Sequence, residues 1–82
     1  MFFTYILFSK SSSKYYVGQT NNLSDRIYRH NSGQQRATKS GVPWVLVTSF
    51  EFQTRSEAVQ LEIKIKKRGA KRFLNDIGFC QK

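Results

Sequence analysis

Residues 15–33 read YYVGQTNNLSDRIYRHNSG, and this stretch joins a predicted strand to a predicted helix. Its first residues are aromatic or β-branched and lead to a glycine, which is typical of a short strand. Asn21 or Asn22 can cap the helix that follows, and we expect that helix to run to Asn31. A strand–helix unit of this kind is expected to belong to a small sheet flanked by helices.

The sequence before this stretch predicts the first strand of a β-hairpin. Residues 2–9, FFTYILFS, are largely apolar on both alternating faces, which indicates a strand covered on both sides. The polar segment KSSSK at 10–14 is the turn that leads into the second strand at 15–18.

The sequence after it predicts a loop and a third strand. Residues 32–41 are mostly polar and predict a surface loop. Residues 42–52 contain Trp, Val, Leu and Phe around small polar residues, and predict a third, central strand. Pro43 stands at its start, where a missing N–H is tolerated.

A capping box marks the second helix. Residues 54–57, TRSE, match its S/T-x-x-E pattern, and we expect the helix to run to about Arg68, before Gly69. Residues 71–75 can form one more short helix. The predicted fold is one α/β (α+β) domain over residues 1–82, with a three-stranded antiparallel sheet flanked by helices in the order β-β-α-β-α(-α).

Charge and composition narrow the classes of protein to which this sequence can belong. The 82 residues include 14 Lys and Arg but 5 Asp and Glu, giving a net charge of +9, so we expect a polyanionic partner. An apolar content of 39% excludes a disordered basic tail. No apolar run approaches the roughly 20 residues that cross a membrane. The one cysteine, Cys80, excludes an intrachain disulfide, and with no signal-peptide pattern we expect a cytoplasmic protein.

The first helix carries a charged residue in its apolar stripe. Leu23, Arg26, Ile27 and His30 follow the i, i+3, i+4, i+7 spacing of a core-facing side. Burying an unpaired guanidinium is very costly, so Arg26 is expected at the rim of a groove where an anion can pair with it. The alternative is a boundary arginine that reaches water beside a hydrogen-bonded His30.

The second helix repeats this feature with a carboxylate. Ala58, Leu61, Glu62 and Ile65 form its apolar stripe. Glu62 is either a structural ion-pair partner of Arg26 or a ligand of Mg²⁺, which takes one or two carboxylates plus phosphate oxygens. Because the chain has five acids, any metal site would be poor in carboxylates.

Tyrosines complete a set of groups suited to phosphodiester hydrolysis. Tyr5 lies on the first strand, and at most one of Tyr15 and Tyr16 can share its face, because neighbours on a strand alternate. The alternative is that these are ordinary strand tyrosines with hydroxyls at an edge. Two phenols, Arg26 with His30, and a carboxylate could together supply a base, a phosphate ligand and a metal ligand.

The order and spacing of these residues resemble the GIY-YIG nuclease family. The segment TYIL is followed by a YVG whose Tyr16 lies eleven residues after Tyr5; Arg26 comes ten residues later and His30 four after that. Residues 54–62 are similar to the family's helix with the metal-binding glutamate. The resemblance covers residues 3–74 and is greatest to small single-domain bacterial members, which are similar to the UvrC nuclease domain and the Slx-type nucleases.

This resemblance implies a metal-dependent endonuclease that cuts DNA, with RNA as an alternative substrate, in repair or recombination. It implies one divalent cation, Mg²⁺ or Mn²⁺, held by Glu62. Tyr16 would be the general base and Tyr5 a second phenol that orients water or phosphate. Arg26 would bind the scissile phosphate, and His30 would hydrogen-bond a tyrosine or the phosphate.

Further residues are implied for substrate binding. Gly18 would let the substrate approach the backbone, and Gln19 stands where several family members carry lysine. The basic run of and after the second helix is expected to follow phosphates, or else to be a solvated helix face; it comprises Lys64, Lys66, Lys67, Arg68, Lys71 and Arg72. The competing functions are a nucleic-acid-binding module on the same fold that has lost, or nearly lost, turnover, and a small basic protein whose charge serves solubility or ribosome association.

Overall fold

The structure is a computed structural model, and it describes residues 1–34 and 36–79, so Cys80 lies outside the described residues. The elements follow the predicted order β-β-α-β-α-α: β1 (Phe2–Ser9), β2 (Lys14–Thr20), α1 (Leu23–Asn31), a 3₁₀ helix (Arg36–Gly41), β3 (Trp44–Phe52), α2 (Arg55–Arg68) and α3 (Ala70–Asp76). The predicted α+β class is confirmed. Within the described ranges, no helix combines the length and apolar character needed to cross a bilayer.

The three strands form one antiparallel sheet in the order β2-β1-β3. The prediction that β3 is the central strand was therefore wrong, because β1 takes that place. The burial of the strands gives the physical reason. Residues 4–7 of β1 are buried on both faces of the sheet, whereas Val45 and Leu46 of β3 are exposed.

The register of the sheet separates the two neighbouring tyrosines of β2. Tyr5 pairs with Gly18 and Leu7 pairs with Tyr16, so Tyr16 shares the face of Tyr5. This face packs against α1 through a core of Tyr5, Leu7 and Trp44. The opposite face packs against α2 and α3 through a core of Ile6, Val17, Ile65, Phe73 and Leu74, with Tyr15 against it.

The helix ends agree with the sequence patterns. The Asn22 side chain accepts a hydrogen bond from the Asp25 N–H at 3.2 Å, which settles the cap of α1. Thr54 and Glu57 form the predicted capping box of α2. Gly69 ends α2 with φ of 93°, a left-handed backbone that favours glycine.

The segment between α1 and β3 differs from the predicted surface loop. Much of it is a 3₁₀ helix, and its Thr38 is only 2% exposed. The Thr38 carbonyl accepts a hydrogen bond from the Trp44 indole N–H at 2.8 Å. The Asn31 side chain bonds both backbone groups of Trp44, at 2.6 Å and 3.0 Å. These bonds hold the segment against the Tyr5 face of the sheet.

Candidate active site

A buried chain of three polar side chains lies at the centre of the site. The Tyr5 hydroxyl lies 3.0 Å from His30 Nε2, and His30 Nδ1 lies 2.9 Å from the Thr38 hydroxyl. Tyr5 and His30 are 0% exposed. Because β1, α1 and the 3₁₀ helix each supply one residue, this chain fixes the relative positions of three elements.

Gly18 provides the space into which Tyr5 extends. A Cβ atom at position 18 would lie 2.6 Å from the Tyr5 hydroxyl and 2.8 Å from Cζ of the same ring. Real Cβ atoms essentially never approach other heavy atoms so closely. The sequence assigned this glycine to substrate approach, but in the structure the group that approaches it is the Tyr5 side chain.

Tyr16 is the more accessible phenol. It is half-buried, and its ring centroid lies 6.3 Å from that of Tyr5 and 4.7 Å from that of His30. Tyr15 lies on the other face, where its ring packs 5.0 Å from Phe8. Of the two tyrosines of β2, Tyr16 is therefore the one that lies on the same face as Tyr5. The Tyr5 hydroxyl itself is enclosed.

Arg26 and Glu62 both influence the pKa of the Tyr5 hydroxyl. Burial raises the pKa of Tyr5 to about 12, and the neighbouring Tyr16 adds to this rise. Arg26 acts in the opposite direction, through its charge and a hydrogen bond to Tyr5, while the charge of Glu62 raises the pKa slightly. Tyr16, Arg26 and His30 therefore lie around this hydroxyl, and Glu62 is close enough for its charge to act on it.

The surroundings of His30 favour its neutral form. Its burial, and secondarily the charge of Arg26, lower the pKa of the imidazole below its usual value. A neutral imidazole has one N–H donor and one acceptor nitrogen, which suits two hydroxyl partners. Of its two expected partners, a tyrosine or the phosphate, His30 takes the tyrosine.

Glu62 and Arg26 do not form the structural ion pair that was one of the two interpretations. Glu62 instead pairs with Lys66, one helical turn later, at 2.7 Å. The Glu62 side chain is 18% exposed, while the other four acids of the chain are exposed. Arg26 is half-buried beside Tyr5, which fits the predicted place at the rim of a groove.

The sequence assigned Glu62 to a metal ion. Within residues 1–34 and 36–79, no three His, Cys, Asp or Glu side chains cluster as metal ligands. One enclosed carboxylate beside a phenol fits a hard cation whose other ligands are water and phosphate oxygens.

Gln19 lies away from the phenols. It pairs with Thr4 across the sheet, on the face covered by α2. Its side-chain oxygen accepts a hydrogen bond from Arg55 at 3.3 Å, and the Arg55 guanidinium stacks 4.9 Å from the Phe2 ring. The expected contact of Gln19 with substrate would therefore be made from the α2 side of the sheet.

The basic run divides between two sides of α2. Lys64 lines a cavity with Phe52 and Glu57 beside β3. Lys66 and Lys71 line a different cavity, beside β2. Lys67 is exposed. The run is therefore not one continuous surface.

Two further residues of the site, Thr38 and Asn31, are not evident from the sequence. Thr38 stands in a polar segment without periodicity, and its importance depends on His30, eight residues earlier. Asn31 was recognised only as the end of α1, although its side chain binds the first residue of β3.

The close contact at Gly18 generates a prediction. Gly18→Ala should lower the free energy of unfolding by about 1–3 kcal/mol, because the added methyl group must displace the Tyr5 ring. It should also shift the histidine NMR signals, since Tyr5 is the partner of Nε2. Ser49→Ala, at the β3 position opposite Tyr5, is the control. A Gly18→Ala protein with unchanged stability and histidine signals would contradict the observed packing.

The buried histidine generates a second prediction. Because the folded-state pKa of His30 is lowered, the unfolded chain binds a proton more readily. Stability should fall as pH drops below about 6.5. The fall continues until the folded imidazole is itself protonated.

This pH dependence can be measured by urea unfolding between about pH 8 and pH 5. The acid-side loss of stability should shrink in His30→Gln. The chain has one histidine, so its NMR titration is unambiguous. A midpoint of the His30 NMR titration at or above about pH 6.5 would contradict the prediction.

Comparisons with known proteins identify the family. Residues 1–75 match the family model described as the GIY-YIG catalytic domain. Over 65 residues the chain is 40% identical to the UPF0213 protein SH2523 of Staphylococcus haemolyticus, covering 78% of each chain. Over 66 residues it is 38% identical to the UPF0213 protein YazA of Bacillus subtilis, covering 79% of this chain and 66% of that protein.

A solved structure agrees with these relatives. The solution NMR structure of the UPF0213 protein BH0048 from Bacillus halodurans matches with a TM-score of 0.56 and 31% sequence identity. The match covers 94% of this chain and 85% of the other. The fold, the matched residues and the small UPF0213 relatives agree with the sequence motifs, and the chain belongs to the GIY-YIG family.

Proposed function

We propose that this protein is a metal-dependent endonuclease that hydrolyses phosphodiester bonds in DNA. The observation that carries the proposal is the placement of Tyr16 and Arg26 beside the buried Tyr5–His30 hydrogen bond, with Glu62 close enough for its charge to act on the same hydroxyl. A GIY-YIG domain is a nuclease fold, and the net charge of +9 favours a nucleic acid partner.

Arg26 is the group that binds the scissile phosphate. Its guanidinium is always charged and can donate two parallel hydrogen bonds to phosphate oxygens. It is half-buried, so its charge is screened less than that of a surface side chain. Such a cation offsets the negative charge that develops on the phosphate oxygens in the transition state.

Tyr16 is the phenol that receives the proton of the attacking water. The Tyr5 hydroxyl is bonded to His30, and its pKa of about 12 keeps it protonated at neutral pH. Tyr16 is the more accessible of the two. As the water oxygen attacks phosphorus, Tyr16 accepts the water proton while its own passes to solvent. The P–O bond on the opposite side breaks, and its oxygen leaves with a proton taken from solvent.

His30 and Glu62 have supporting roles. His30 is a positioning residue, because it is 0% exposed and reaches the site only through Tyr5. Glu62 would hold the divalent cation, Mg²⁺ or Mn²⁺, as its one protein carboxylate. When bound, such a cation neutralises charge on the phosphate and the leaving oxygen.

A second candidate function is nucleic acid binding without turnover. The Glu62–Lys66 ion pair at 2.7 Å favours it, because a lysine already neutralises the carboxylate. The two functions differ in whether divalent metal causes cleavage.

The role of Tyr16 can be tested by removing its hydroxyl. Tyr16→Phe keeps the ring and its contacts with His30 and Trp44, so the melting temperature should stay close to that of the native protein. Cleavage of labelled DNA should fall by about 10²–10⁴-fold, the usual contribution of general acid–base catalysis. Tyr28→Phe, at a site that is 67% exposed, is the matched control. Undiminished cleavage by Tyr16→Phe would exclude this role.

A substitution at Glu62 distinguishes an enzyme from a binding module. Linear, nicked, flapped and branched DNAs, and one RNA, should be incubated with Mg²⁺, Mn²⁺ or EDTA. Glu62→Gln should abolish metal-dependent cleavage, while affinity for DNA without metal stays equal or rises because a negative charge is lost. Glu57→Gln is the control, since glutamine can keep the capping box.

Two results would count against this role. If Glu62→Gln cleaves at the native rate per folded molecule, Glu62 is not the metal ligand. If the native protein cuts none of the substrates with either metal, the binding module is the better description.

A further inference from the structure

The cavity beside β2 lies outside the proposed catalytic site. It measures about 630 Å³ and lies between β2 and the junction of α2 and α3. Tyr15, Val17 and Ala70 form its apolar lining, and its charged residues are Lys66, Arg68, Lys71 and Arg72. This is the α2 side of the sheet, opposite the face that carries Tyr5 and Tyr16.

The positively charged side chains around this cavity differ in whether they already have an ion-pair partner. Arg68 is bound to Asp76 by two hydrogen bonds of 2.7 Å and 3.0 Å, and Lys66 is paired with Glu62. The side chains of Lys71 and Arg72 are exposed and have no ion-pair partner among the described residues. Two positive charges therefore remain available to an anion at the α3 side of the cavity.

The cavity and the proposed catalytic site are formed in part by neighbouring residues of β2 and α2. Tyr15 and Tyr16 are consecutive residues of β2, so one side chain contributes to the cavity and the next to the phenol pair. On α2, Lys66 of the cavity pairs with Glu62, which is coupled to Tyr5. A chain of phosphates that passes the edge of β2 can reach both places.

We propose that this cavity binds an unpaired nucleotide of the substrate strand, next to the scissile phosphate. Its phosphate binds Lys71 and Arg72, and its base packs on Tyr15 and the apolar lining. This inference rests on the proposed function for the identity of the strand, and it adds the substrate class: a nucleic acid with a single-stranded segment beside the cut.

The chemistry of the lining favours an unpaired base over a duplex. A duplex presents phosphates and sugars to a protein surface, so it would leave an apolar, aromatic cavity unfilled. An unpaired base offers a flat apolar face to Tyr15, and a basic groove with aromatic side chains is the usual arrangement for single strands. A volume of about 630 Å³ is within the range of cavities that hold small organic groups.

The salt dependence of binding tests the phosphate contacts without metal or cleavage. Affinity for an oligothymidylate of about ten nucleotides should be measured by fluorescence anisotropy at several salt concentrations in EDTA. Lys71→Gln/Arg72→Gln should lower the slope of log affinity against log salt by about 1.4, because each single-strand phosphate contributes about 0.7.

The matched control removes two charges elsewhere. Lys10 lies in the β1–β2 turn and Lys39 in the 3₁₀ helix, and both are exposed and outside the cavity lining, so Lys10→Gln/Lys39→Gln should leave the slope nearly unchanged. If both double variants lower the slope equally, binding is diffuse and the cavity proposal is overturned. A blunt duplex that binds as tightly as the single strand would overturn the unpaired-base part.

The base contact has its own test. Tyr15→Leu should weaken single-strand binding roughly tenfold, since it removes the stacking ring, whereas Tyr15→Phe should keep the affinity. Tyr15 also packs on Phe8, so both variants need a folding check. Photocross-linking of bromodeoxyuridine-labelled strands to the native protein tests the contact without substitution. Cross-links at Tyr15 or α3 support it, and cross-links confined to other surfaces exclude it.

These outcomes are separable from those of the proposed function. Loss of salt slope in Lys71→Gln/Arg72→Gln supports the cavity whether or not any DNA is cut. If cleavage occurs but no cavity variant changes binding, the nuclease proposal stands and the cavity proposal fails.

Discussion

The hydrogen bond between the Tyr5 hydroxyl and His30 imposes the constraint to which the rest of the site conforms. Both groups are 0% exposed, and a polar group without a partner at such depth would be costly. The phenol can reach His30 only where the neighbouring strand lacks a side chain, at Gly18. The second imidazole nitrogen needs a partner as well, and Thr38 supplies it from the 3₁₀ helix that Trp44 holds in place.

The same constraint places the two phenols in different environments and so gives them different roles. Tyr5 is enclosed by the core and holds its proton, because burial raises its pKa to about 12. Tyr16 lies one strand away on the same face, with its ring against the imidazole but without the full enclosure of Tyr5. Arg26 lowers the pKa of both Tyr5 and His30, so the residue proposed to bind phosphate is also coupled to the buried chain. A change in the charge around Arg26, such as an arriving phosphate, would be felt by both groups.

Local patterns predicted the parts of this structure that depend on near neighbours. The capping box at Thr54, the asparagine cap and the order of elements needed only a few adjacent residues. The central position of β1 and the burial of Thr38 depend on pairings between distant segments, and polar composition alone suggested the opposite for Thr38. The divided basic run follows from the helix itself, because residues two apart on a helix lie on nearly opposite sides. That separation of Lys64 from Lys66 was within reach of the sequence.

The placement of the acids bears on the choice between enzyme and binding module. Asp25 and Asp76 are exposed and paired with arginines, and Glu57 caps a helix. Glu62 differs, because its side chain is 18% exposed and close enough to Tyr5 to influence its pKa. Without its lysine partner this partly buried carboxylate would repel a phosphate, so a protein that only binds nucleic acid gains little from it. A divalent cation between the carboxylate and the phosphate would turn that repulsion into attraction. Lys66 supplies a positive charge at this place, and because its exposed side chain forms a surface ion pair of small energy, Glu62 could exchange Lys66 for a divalent cation at little cost.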